Sequence, residues 1–127
     1  MRNLYKSLIV LIILANFSCE DKFYKKKFDI HYLITNKTDT TIKQIRIDAS
    51  DGLTKWIFKN VSPGETETLT FNIKRDVKVS EGSIVLTSFF SDSDSVFLGL
   101  SYFTNWYYLD SNPAKYNIYK DRIEEAK

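Results

Sequence analysis

From Phe28 onward the apolar side chains recur at every second position, and that period decides what this chain can fold into. Phe28, Ile30, Tyr32 and Ile34 alternate with Asp29, His31, Leu33 and Thr35. A helix would need a period of 3.6, whereas a half-buried strand needs two. The same beat returns in Ile42–Ile47, with Ile45 and Ile47 on one face, in Leu53–Phe58, and most cleanly in Thr66–Ile73. There Leu69, Phe71 and Ile73 point one way while Thr66, Thr68, Thr70 and Asn72 point to solvent. Between these runs stand residues that turn a chain. Asp51-Gly52 is a hairpin signal. Ser62-Pro63-Gly64-Glu65 fits a type II turn, in which Pro sets φ at the second position and Gly supplies the positive φ at the third.

The second half of the chain continues the pattern less regularly. Lys74–Gly82 is a charged connection with room for a short edge strand around Val77 and Val79, and Ser83–Phe90 is apolar and β-branched enough to be a central strand. Ser91 to Ser95 are five small polar residues with nothing to bury, hence a turn. Val96–Leu109 reads as one or two strands kinked near Gly99 or Asn105; Asn112-Pro113 opens a last loop, and Tyr116–Tyr119 closes the set. About seven or eight short strands at near-regular spacing predict an all-β, two-sheet antiparallel sandwich over residues 28–120. Residues 121–127 form a charged tail long enough for one helical turn.

Three stretches together resemble the small immunoglobulin-like sandwiches common in secreted bacterial proteins. They are Thr35-Asn36-Lys37-Thr38 with Ile42–Ile47, then Phe58–Glu65 with the Leu69–Ile73 strand, then Leu98–Phe103 with Tyr116-Asn117-Ile118. The resemblance implies an immunoglobulin-like fold and carries no functional residue with it.

The first 27 residues do not follow this pattern. Arg2 and Lys6 precede an apolar run from Leu8 to Ala15, and Ser18 stands directly before Cys19, the chain's one cysteine. A membrane span needs about 20 apolar residues, so this run is a secretion signal. The segment resembles the signal and lipobox of bacterial lipoproteins, although Asn16 and Phe17 stand where that pattern usually has Leu and a small residue. The resemblance implies cleavage of residues 1–18, acylation of Cys19 and anchoring to a membrane of the cell envelope through those acyl chains. A cleaved signal with an unmodified Cys19 and an uncleaved anchor are the alternatives. Residues 19–27, with Lys25-Lys26-Lys27, are a charged tether. Of the 18 Lys and Arg two lie in the signal, so residues 19–127 carry 16 against 16 Asp and Glu. Without a basic excess, nucleic acid is not an expected partner.

The sequence offers no recognisable catalytic group, no cofactor motif and no metal-ligand set. His31 is the one histidine and falls on the polar face of the first strand, where it cannot assemble a zinc site alone. Asp92-Ser93-Asp94-Ser95 starts like a calcium loop but lacks the glycine and distal glutamate. What remains is Ser101–Leu109, with five aromatics in nine residues, more than one strand face can bury. Tyr102, Trp106, Tyr107 and Tyr108 are therefore the candidate binding surface. A regular strand would put Trp106 with Tyr108 on one face and Tyr107 with Phe103 and Asn105 on the other. Burial of both faces in the core is the competing reading. The functional expectation is a non-catalytic, lipid-anchored binding or accessory module for an envelope protein or glycan. A structural or protective, immunity-type lipoprotein is the alternative, and an enzyme is the least favoured.

Overall fold

The computed structural model describes residues 29–127; the signal segment, Cys19 and the tether lie outside the described residues. In chain order the strands are β1 Asp29–Asn36, β2 Ile42–Ala49, β3 Thr54–Val61, β4 Thr66–Asn72, β5 Gly82–Phe89, β6 Ser95–Thr104, β7 Tyr107–Tyr108, β8 Ala114–Ile118 and β9 Ile123–Glu125. They make two sheets, ordered β4-β1-β8-β9 and β3-β2-β5-β6-β7. The alternation sets the inner faces: Ile30, Tyr32, Ile34 and Phe71 from one sheet meet Ile45, Ile47, Ile84 and Leu86 from the other, all shut off from solvent. Ser83–Phe90 is central, as its composition predicts, flanked by β2 and β6.

The pairing is that of an immunoglobulin sandwich. β1 and β4 pair like strands B and E, while β3, β2, β5 and β6 lie side by side like C′, C, F and G. The position beside β1 that strand A would hold is taken by β8, and here the antiparallel expectation fails: β8 runs parallel to β1. The reason is where β8 starts. Asn112 Nδ2 donates to Asp29 O at 2.7 Å and the His31 N–H donates to Asn112 Oδ1 at 2.9 Å, so the chain enters beside the beginning of β1 and continues in the same direction.

Both turn signals are realised. Asp51 and Gly52 have φ of 55° and 80°, and the Leu53 N–H donates to Ser50 O at 3.1 Å, a type I′ geometry. Gly64 has φ of 78°, and the Glu65 N–H closes on Ser62 O at 3.1 Å. Around this second turn sits a buried polar centre that patterning alone does not reveal. Asn36 is fully buried, and its amide donates to Thr40 O at 2.9 Å and to Val61 O at 3.0 Å. Its Oδ1 accepts from Thr38 N at 2.9 Å and Thr38 Oγ1 at 2.7 Å, while its own carbonyl accepts from Gly64 N at 2.8 Å.

Two segments depart from expectation. The edge strand around Val77 and Val79 is instead a π-helical turn, Ile73–Val77, closed by the Lys78 N–H on Ile73 O at 2.9 Å. Side chains win the competition with the sheet here. Asn72, expected on the solvent face, is buried and caps the turn, accepting from Arg75 N at 3.0 Å, and its own N–H donates to Asp76 Oδ2 at 2.8 Å. Arg75 grips the same Asp76 and holds its carboxyl below the usual carboxylate range. Ile73 and Val77, four apart, are both buried by this turn. The tail makes no helical turn: Ile123, its one large apolar residue, is buried, and Ile123–Glu125 add to β8 as a ninth strand.

Candidate functional site

The aromatic run is organised by two local irregularities, both at the predicted kink positions. Val85 pairs with Gly99 and Ile84 with Ser101, so Leu100 is an extra residue bulged out of the β5–β6 ladder. Asn105 and Trp106 then take φ of 48° and 68° and reverse the chain as a two-residue hairpin turn. The reversal overturns the regular-strand assignment of faces. Phe103 pairs with Tyr108, and Thr104 with Tyr107. Tyr108 thus faces the core beside the fully buried Phe103, and Tyr107 faces solvent with Tyr102.

The four candidate residues therefore have three different fates. Tyr102 and Tyr107 are 47% and 55% exposed. Trp106, at the hairpin tip, is half-buried; its backbone N–H donates to Ser80 O at 3.1 Å and the Lys74 ammonium sits 5.5 Å from its ring centroid. Tyr108 is a structural root. Its hydroxyl lies 2.9 Å from that of Tyr32, whose ring stands edge-on to Phe71 and Tyr116 with centroids 5.6 and 5.5 Å away. Burial pushes the pKa of the Tyr32, Tyr108 and Tyr116 hydroxyls up, away from an ordinary value already well above neutral pH. A cleft of about 140 Å³ opens beside the hairpin, between Ile30, Ile73, Trp106, Tyr107, Tyr108 and Asp110.

Further exposed apolar groups escape sequence reasoning. Phe97 is 75% exposed, Leu109 61% and Ile57 48%. Phe97 lies in Val96-Phe97-Leu98, where no polar residue marks which side faces out. The signal was nearby, in Ser95 and Gly99, but the bulge shifts the phase between them and Phe103.

The remaining polar candidates are engaged structurally. His31 Nδ1 is 3.0 Å from Thr70 Oγ1. Asp92 pairs with Lys43, and Asp94 with Lys120 at 2.8 Å, so the two carboxylates of the calcium-like stretch each hold a lysine. Among the described residues no group of three or more His, Cys, Asp or Glu could hold a metal ion, and no helix is long and apolar enough to cross a membrane.

No protein-family model matches the chain, and no curated protein matches it. Among solved structures it is similar to a protein from Eubacterium rectale determined by NMR, with a TM-score of 0.53 over 79% of this chain and 89% of that one. At 11% sequence identity the likeness is one of fold: two chains that share an architecture and almost none of the side chains that fill it.

Proposed function

We propose that this chain is a lipid-anchored lipoprotein of the bacterial cell envelope whose sandwich domain is a non-catalytic binding module for an envelope protein or glycan. The observation that carries the binding reading is the division of labour in one hairpin. Phe103 is buried in the core and Tyr108 packs half-buried against it, while Tyr102 and Tyr107 on the same two strands present their rings to solvent. Rigidly backed aromatic rings lose little entropy on binding and are typical anchors of interfaces. Anchoring rests on the Leu8–Ala15 run followed by Ser18-Cys19.

Two measurements test the two halves of this reading. Cys19→Ala is expected to abolish labelling of the protein by a fatty-acid analogue, because the thiol is the acylation point; unchanged labelling refutes the anchor. Tyr102→Ala with Tyr107→Ala is expected to weaken capture of the cognate envelope partner by about 2 kcal/mol, roughly thirtyfold. The melting temperature should hardly move, since neither ring is in the core. A fall of ten degrees or more with capture unchanged would show the rings to be structural.

A further inference from the structure

We infer that the solvent face of the five-stranded sheet carries a binding trough for a neutral oligosaccharide. This rests on the binding-module reading and gives that module a ligand class. The trough is an open depression of about 340 Å³ crossing β3, β2 and β5, lined by Arg46, Asp48, Lys55, Ser83, Val85 and Thr87, with Asp51 and Gly52 at its end. That volume falls at the small end of ligand pockets, roughly 300–1,000 Å³. Register places β6 along its open side: Thr87 pairs with Phe97, Val85 with Gly99 and Ser83 with Tyr102. Gly99 thus leaves a gap in the β6 wall between two exposed rings, and a Cβ built there would meet nothing within 4 Å.

The chemistry of the lining selects the occupant. Arg46 and Lys55 balance Asp48 and Asp51, so the trough has no net charge to attract a polyanion or a polycation. An acyl chain or apolar peptide would strip water from four charged groups without replacing their hydrogen bonds, which is costly. A sugar ring offers hydroxyls that both donate and accept, together with C–H faces that pack on aromatic rings. Arg46 is held in place beside the trough: its Nε donates to Asp48 Oδ2 at 2.7 Å and its guanidinium lies 5.0 Å from the centre of the Phe89 ring. Among the described residues neither Lys55 nor Asp51 belongs to an ion pair.

The test is a binding titration of the full-length protein in detergent against two sets of oligosaccharides. One set is neutral (gluco-, galacto-, manno- and xylo-oligosaccharides), and the other contains uronic acids. At least one neutral oligosaccharide is expected to bind, and Gly99→Leu is expected to lower that affinity about tenfold or more by filling the gap. Its melting temperature should match the parent, because position 99 has open space and no positive φ. Arg46→Ala should also weaken binding. Failure of every neutral oligosaccharide, tighter binding of the uronate set, or full affinity in Gly99→Leu overturns the inference. If Tyr102→Ala with Tyr107→Ala still weakens capture of an envelope protein while oligosaccharides fail, the glycan assignment falls and the binding module stands.

Discussion

Asn36→Ala is expected to destabilise the domain by about 3–5 kcal/mol, a large share of the roughly 5–15 kcal/mol that holds a domain of this size together. The side chain, itself fully buried, makes four hydrogen bonds, two donated and two accepted, of which the one to Val61 O is wholly buried and the other three are partly so. Each is worth about 1 kcal/mol net, and the Val61 carbonyl would be left buried and unpaired at further cost. The loss should appear as a lower denaturant midpoint with an unchanged slope. Asn36→Asp is the informative companion. It keeps the acceptor for Thr38 but replaces both donated bonds with a buried charge facing two carbonyls, and should be at least as damaging at neutral pH. A loss below 1 kcal/mol for Asn36→Ala would mean that the Pro63-Gly64 turn and the 37–41 loop hold themselves without it.

Tyr32→Ala should cost about 3–5 kcal/mol, the range for emptying a buried aromatic site. Tyr32 is fully buried and touches the rings of Phe71, Tyr108 and Tyr116, so no neighbour can collapse into its place without breaking another ring contact. Tyr32→Phe separates the ring from its hydroxyl: about 1–2 kcal/mol is expected, because only the bond to the Tyr108 hydroxyl is lost. Combining Tyr32→Phe with Tyr108→Phe should cost less than the sum of the two single losses, since the second change removes a bond that is already broken. Strict additivity in urea unfolding would show that the two hydroxyls do not share a bond.

The positions of these two residues show which parts of the fold can be read from the chain and which cannot. Tyr32 was legible: it lies in a run where every second residue is large and apolar, and a one-residue slip would turn that whole set to solvent. Asn36 was not, because its polar side chain follows the pattern of a turn, and only the arrival of Val61 from another strand makes it a core residue. The π-helical turn is missed for a related reason. Ile73, Val77 and Val79 scan as a strand until the Asn72 and Asp76 side chains take over the backbone groups. In the candidate site, the surplus of rings over one strand face correctly implied that some must be exposed. Which ones depended on Trp106 adopting a left-handed conformation, unusual for a bulky residue and stabilised by its packing against the core. Once the hairpin turns there, parity reverses, and Tyr107 and Tyr108 exchange roles. Ile123 escaped notice as one apolar residue among charges, too little for a periodic signal.

The parallel pairing of β8 with β1 gives this domain an order of assembly. β1 is an inner strand of its sheet, yet one of its two neighbours is not made until the end of the domain is reached, when Asn36 comes to lie against Ile118. Such contacts between the far ends of a sequence raise the contact order and delay folding. Until the last segment arrives, β1 has an unpaired backbone on one side, and nothing in the first half can complete the sheet in its stead. Late closure therefore ties compactness to the arrival of the last strands: β1 is shut into a finished sheet only when β8 lies beside it.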